Sequence, residues 1–174
     1  MKVLILYASI EGQALKVTRF LQKAVRRAGH TTKAVDVNVK RAEAPLDWAD
    51  CLVIVASVHR RRHPVEFEKF LTANRDALHR KKTLLLSLSL CAAFPQGQEE
   101  AQSYVAELSE RTGFTPTADQ LVAGALQFKK YKDYEAQVVR FVALNLNEYD
   151  EVHEDKEFTD WPAVEAGVLA FLER

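Results

Sequence analysis

The chain has 174 residues, 48% of them hydrophobic and 28% charged, enough for one domain over residues 1–174 with a full core. Its formal net charge is zero, yet seventeen Lys and Arg stand against eight Asp and Glu over residues 1–82, and seven against sixteen over 83–174, an asymmetry suited to orienting the molecule toward a charged partner. Nothing at the N-terminus reads as a signal peptide, apolar runs such as residues 52–56 and 84–86 are far too short to span a bilayer, and Cys51 and Cys91 form no Cys-x-x-Cys pair. A bilayer-spanning chain and a disulfide framework are thereby excluded, and a soluble, cytoplasmic protein with a reduced, buried Cys51 is expected.

Residues 2–7, Lys-Val-Leu-Ile-Leu-Tyr, have the pattern of a buried strand. The turn Ala8-Ser9-Ile10-Glu11-Gly12-Gln13-Ala14 leads from it into an amphipathic helix over 13–28, with an apolar stripe of Leu15, Val17, Phe20, Leu21 and Val25 and with Gly29 closing it. A strand that feeds a helix through such a turn aims the helix's unpaired N–H groups outward, at the positive end of the backbone dipole. The junction is therefore a candidate phosphate site, to which Ser9 adds a hydroxyl. Gly12 is the only glycine in the turn, and neither the dinucleotide nor the nucleoside-triphosphate pattern is present, so a plain strand-to-helix turn is the competing reading.

Further strands are predicted over 32–37, 52–57, 83–90 and 120–126. Residues 38–50, with Pro45 and Trp48, have room for a short helix at most. A helix follows Pro64 on Val65, Phe67, Phe70, Leu71 and Leu78. Pro95 and Gly97 interrupt the pattern before a helix over 99–111, and Trp161-Pro162 opens a last helix bearing Val164, Val168, Leu169, Phe171 and Leu172, with Thr159 or Asp160 as its cap. Strands alternating with helices mean an α/β architecture, a parallel sheet covered on both faces. Residues 127–158 are longer than such a connection needs and read as an added functional element, with a helix over 133–149 carrying Val138, Val139, Phe141, Val142, Leu144 and Leu146.

Five strands with a phosphate-type turn after the first look like a flavodoxin fold, a doubly wound five-stranded parallel sheet in the order 2-1-3-4-5, here with a long insertion before the last helix. More narrowly, Leu4-Ile5-Leu6-Tyr7 through Glu11-Gly12-Gln13, Ala56-Ser57-Val58, Val122-Ala123-Gly124-Ala125-Leu126 and Thr159-Asp160-Trp161 resemble the flavodoxin-like, menaquinone-dependent protoporphyrinogen oxidases of bacterial haem synthesis. The resemblance runs over nearly the whole chain. Its most specific parts are the Ala-Gly-Ala-Leu at 123–126, the insertion after it and the Thr-Asp-Trp that restarts the last helix. It implies FMN held by three loops: Ser9, Ile10, Glu11, Gly12, Gln13 and Ala14 around the phosphate; Ser57, Val58, His59 and Arg60, in the loop 57–63, beside the ring; and Ser89, Leu90, Cys91 and Ala92, in the loop 89–94, over the pyrimidine edge. It also implies oxidation of a porphyrinogen with electrons passed to a quinone, with the flavin N5 as the reactive atom and no side chain as acid or base. Two positions depart from the family's usual pattern, Ala14 where Thr is usual and Ile10 where a polar residue is, and residues 59–63 offer no aromatic to stack on the ring.

His59 and His63 are four residues apart, but three arginines between them would repel a cation, and Pro64 argues against helix before it, so no metal is expected. The run Arg60-Arg61-Arg62 reads first as a solvated basic loop, and second as a contact for porphyrin propionates or anionic lipid headgroups. Phe128-Lys129-Lys130-Tyr131-Lys132-Asp133-Tyr134 interleaves aromatics with lysines, as nucleic-acid and membrane-facing segments do. The acidic stretch 148–157 speaks against nucleic acid, leaving packing on the sheet edge or a partner-facing or membrane-facing element, consistent with a peripheral place on the inner face of the cell membrane. Cys91 reads as a small loop residue, and without a Gly-x-Ser-x-Gly elbow a hydrolase is disfavoured. Two other readings stay open: an electron-transfer flavodoxin, and a binding module of this fold that has lost FMN.

Overall fold

A computed structural model describes residues 1–126 and 155–174 of the chain. Strands β1 (Lys2–Ala8), β2 (Thr31–Asp36), β3 (Cys51–Ser57), β4 (Lys82–Ser89) and β5 (Ala118–Ala123) form one parallel sheet in the order β2-β1-β3-β4-β5. In the centre, Ile5 lies opposite Ala34 of β2 and Val53 of β3. The reversal of direction at β1/β3 is the switch point where open α/β sheets bind ligands, outside the carboxyl ends of the strands.

Alternation along the strands builds two cores. Val3, Ile5, Val53, Val55, Leu84 and Leu86 face helices α1 (Gln13–Arg27) and α4 (Trp161–Glu173); Leu4, Leu6, Leu52, Ile54 and Leu85 face α2 (Val65–His79) and α3 (Gln98–Thr112). Each large aliphatic side chain removed from water in this way contributes about 1.5–3 kcal/mol.

The helix start and stop signals act as read, with one refinement. Gly29 takes φ 83°, and the N–H groups of Gly29 and His30 return to the carbonyls of Arg26 and Val25, the paired bonds of a left-handed helix stop. Asp160, not Thr159, caps α4, its carboxylate accepting from the N–H of Ala163 at 3.0 Å.

Three expectations are corrected. The buried stripe of α1 runs through Ala14, Val17, Leu21, Ala24 and Val25, while Leu15 and Phe20 sit half-exposed on its two edges, outside the arc of the helix that those five positions cover. Val65, counted with the apolar face of α2, is 48% exposed at the first position of that helix. The strand foreseen over 120–126 is two: β5 ends at Ala123, and beyond Gly124 the pair Ala125–Leu126 (β6) leaves the sheet to pair antiparallel with Lys156–Glu157 (β7), Ala125 opposite Glu157 and Leu126 opposite Lys156. Residues 38–50 hold a single 3₁₀ turn, Leu46–Trp48. The helix foreseen over 133–149 and the aromatic and lysine segment 128–134 lie outside the described residues. No described helix is long and apolar enough to cross a membrane.

Candidate functional site at the carboxyl edge of the sheet

The loop after β1 turns on Gly12, whose φ of 101° is open to glycine and costly to other residues. The side-chain oxygen of Ser9 accepts from the N–H of Gly12 at 3.1 Å and of Leu15 at 3.4 Å, which leaves its O–H as a donor. The first hydrogen bond of the helical ladder is made by Lys16 N–H, to the carbonyl of Gly12. The amides of Gln13 and Ala14 precede it and have no acceptor within the helix. Their side chains do not face outward: Ala14 is fully buried in the α1 core, and Gln13 is 8% exposed. Ile10 is 46% exposed and Glu11 half-buried.

Gln13 is held from the far end of the chain. Its Nε2 donates to the hydroxyl of Thr159 at 2.9 Å and to the carboxylate of Glu157 at 3.3 Å, and Thr159 in turn donates to the carbonyl of Ala123 at 2.7 Å. Glu157 also takes Lys16 Nζ and, at 2.8 Å, the indole N–H of Trp161. Burial works to raise the Glu157 carboxyl, but the bonds from Lys16, Trp161 and Gln13 hold it below the ordinary carboxylate range.

The loops after β1, β3 and β4 meet at this edge. Ser57 Oγ donates to the carbonyl of Ala8 at 3.3 Å, the N–H of Val58 to that of Leu88 at 2.7 Å, and the N–H of Gly124 to that of Ser89 at 3.0 Å. Ser89 Oγ accepts from the N–H of Ala92, and Leu90 leads into a 3₁₀ turn, Cys91–Ala93. Cys91 is half-buried with its sulfur 3.7 Å from the hydroxyl of Tyr104, and burial raises its thiol.

After β3 the chain makes a two-residue hairpin. His59 and Arg62 exchange both backbone bonds, at 2.9 and 3.1 Å, and Arg60 and Arg61 between them take φ of 50° and 64°. A mirror-image turn of this kind is ordinarily made by Asn-Gly; two arginines in it store strain of about 1–3 kcal/mol each. The hairpin is pinned on three sides. His59 faces the Glu11 carboxylate at 3.5 Å, Arg61 meets Glu100 at 2.7 Å, and Arg62 forks onto the buried carboxylate of Glu68, which Arg111 also holds at 2.9 Å. Burial pushes Glu68 up, and the bonds from Arg62 and Arg111 outweigh it, so its carboxyl lies below the ordinary value.

The solvated basic loop read from the sequence is thus in good part an ion-paired hairpin. His59 and His63 also part company: His63 is 1% exposed, its Nε2 lies 3.1 Å from Ser87 Oγ, and its Nδ1 has no partner among the described residues. Burial pushes the imidazole down to about 4. No group of three or more potential metal-binding side chains occurs among the described residues. The sequence reading missed Glu68, Glu100, Glu157 and Thr159 as parts of the site's frame. Of these only Thr159 carried a signal, within Thr-Asp-Trp.

A flavodoxin-domain family model matches residues 4–152. Protoporphyrinogen IX dehydrogenase (quinone) of Escherichia coli strain K12 is 25% identical over 167 residues, covering 94% of this chain and 91% of that protein. Among solved structures, a short-chain flavodoxin associated with a non-canonical PDU bacterial microcompartment is 13% identical, with 84% of this chain and 97% of the other covered and a TM-score of 0.51. A point mutant of the flavodoxin from Pseudomonas aeruginosa is 22% identical, with 84% and 99% covered and a TM-score of 0.50. The structural likenesses agree with the strand order, the family model spans most of the sequence, and the chain belongs to the flavodoxin domain family.

Proposed function

We propose that the chain holds FMN at this edge and oxidises a porphyrinogen, passing the electrons to a quinone. The observation that carries the cofactor is the turn from β1 into α1, where the first amides of a helix, without acceptors in its ladder, stand beside the loops after β3 and β4 at the switch point of the sheet. The substrate and acceptor are those in the name of the Escherichia coli relative, whose similarity extends along 94% of the chain.

The residues suit that cofactor. A phosphomonoester carrying close to two charges would be held by the amides of Gln13 and Ala14 and the O–H of Ser9, with about 0.3–1 kcal/mol from the helix dipole alone. Backbone groups of Val58, His59 and Arg60 on one side and of Leu90, Cys91 and Ala92 on the other would flank the ring. Ile10 and Glu11 complete the phosphate loop, and Ser57 and Ser89 brace the loops by bonds to Ala8 and Ala92. FMN, when bound, supplies hydride-accepting chemistry at N5. The chain's part is to orient it and to present the substrate; no side chain here is assigned as acid or base.

The test is reconstitution. Purified protein titrated with FMN should turn yellow and then oxidise protoporphyrinogen with a menaquinone analogue as acceptor. Bound flavin without turnover would leave an electron-transfer flavodoxin. No spectral change at micromolar FMN would leave a binding module of the same fold.

A further inference from the structure

The phosphate turn of this chain has few side chains to offer an anion. Ala14 brings no hydroxyl and is fully buried, and the Gln13 amide is turned inward, so Ser9, whose Oγ accepts from the N–H groups of Gly12 and Leu15 and keeps its O–H to give, is the one side chain of residues 9–14 with a hydrogen for an anion. Recognition there must come chiefly from backbone N–H groups. A backbone donor discriminates only if its direction is fixed, because a poorly aligned hydrogen bond loses most of its strength.

What fixes the direction is the segment that returns from the insertion. Gln13 and Lys16, the first and fourth residues of α1, are both tied to it: Gln13 to Thr159 at 2.9 Å and to Glu157 at 3.3 Å, Lys16 to Glu157. The segment is itself fastened to the sheet, by Thr159 Oγ1 on the carbonyl of Ala123 at 2.7 Å and by the N–H of Phe158 on that of Gly124 at 3.0 Å. A chain of bonds thus runs from the end of β5, through the Thr159 hydroxyl, into the residue whose backbone N–H opens the helix.

We propose that Thr159 and Glu157 are positioning residues for the cofactor phosphate, acting through Gln13, so that anion affinity at the turn depends on the strand that closes the insertion. The proposal rests on the FMN reading. It predicts a defect confined to the phosphate, which a comparison of FMN with riboflavin, the same ring without the phosphate, isolates.

The experiment titrates the full-length chain with each flavin by fluorescence quenching. Wild type should prefer FMN over riboflavin. Thr159→Val, which keeps the shape and removes the hydroxyl, should narrow that preference about five- to tenfold, the worth of one net hydrogen bond, and leave riboflavin affinity within about twofold. Thr159→Ser should restore it. Equal losses for both flavins, or no loss for either, overturn the proposal. If Thr159→Val fails to fold, Gln13→Met is judged by the same ratio. A wild type that binds neither flavin sinks the FMN reading and this proposal with it, whereas a wild-type preference that the variants leave unmoved overturns the positioning role alone.

Discussion

His63 shows what a single residue's surroundings decide. Its spacing from His59 is that of a ligand pair, yet the hairpin sends His59 toward Glu11 and His63 under the sheet edge against Ser87 and the Phe67 ring, whose centroid is 6.0 Å away. Desolvation lowers its folded pKa to about 4, with the Glu68 charge pulling it up and that of Arg111 pushing it further down. An unfolded histidine titrates near pH 6.5, so between the two values the unfolded chain binds more protons and stability rises with pH. This contribution is complete above about pH 6.5 and is lost as pH falls toward 4, by about 3 kcal/mol in total. Urea unfolding at about pH 7.5, 6 and 5 should show the decline in wild type, and the slope should be shallower in His63→Gln. Equal slopes would mean that the imidazole is protonated without cost. Nothing in the sequence foretold this environment, because full burial of one histidine and half-burial of the other follow from a turn whose residues, Arg60 and Arg61, are among the least expected to form it.

At the scale of elements, the hairpin and its anchors behave as a unit. Glu68 is 6% exposed and accepts from Arg62 and Arg111, so it joins the loop after β3 to the end of α3. Glu68→Gln preserves the shape but strips the charge that two guanidinium groups face. Because Arg62 is half-exposed and Arg111 less so, their stranding is softened by solvent, and the loss should be about 1–3 kcal/mol, less than breaking a fully buried pair costs. The same variant should release the hairpin, read as faster trypsin cleavage after Arg60, Arg61 or Arg62 at a temperature where the rest of the chain resists. Unchanged protection would show that the backbone bonds between His59 and Arg62 suffice. The regular elements themselves were legible: strands one to four, the Gly29 stop and the Trp161-Pro162 start are local signals of period, glycine and proline. The break after Ala123 was not, since Ala125 and Leu126 continue an apolar run and only the distant partner strand at Lys156–Glu157 draws them from the sheet.

Across the whole molecule, the split of charge along the sequence has an internal use. Lys16–Glu157, Arg27–Glu165 and Arg61–Glu100 each join a base of the first half to an acid of the second, so part of the asymmetry that suggested a charged partner is met within the fold. Exposed pairs of this kind contribute at most about 1 kcal/mol each, and they orient elements more than they stabilise them. The same arrangement bears on the insertion. Both of its ends enter through the β6–β7 ladder, where Leu126 lies directly opposite Lys156, while the five-stranded sheet and, among the described residues, helices α1 to α4 lie on either side of that ladder in the sequence. Two strands so paired can be closed by a two-residue Asn-Gly turn. Replacing residues 127–155 by that turn should therefore leave a cooperatively folding chain that still titrates with FMN, because Glu157, Thr159 and the Gln13 bonds are retained. It should abolish porphyrinogen turnover if the insertion supplies the wall against which the substrate docks. Circular dichroism and flavin absorbance report the first outcome and the quinone-linked assay the second. A shortened chain that turns over at the wild-type rate would assign substrate binding to the three loops alone. One that no longer folds would make the insertion part of the domain's core and not an addition to it.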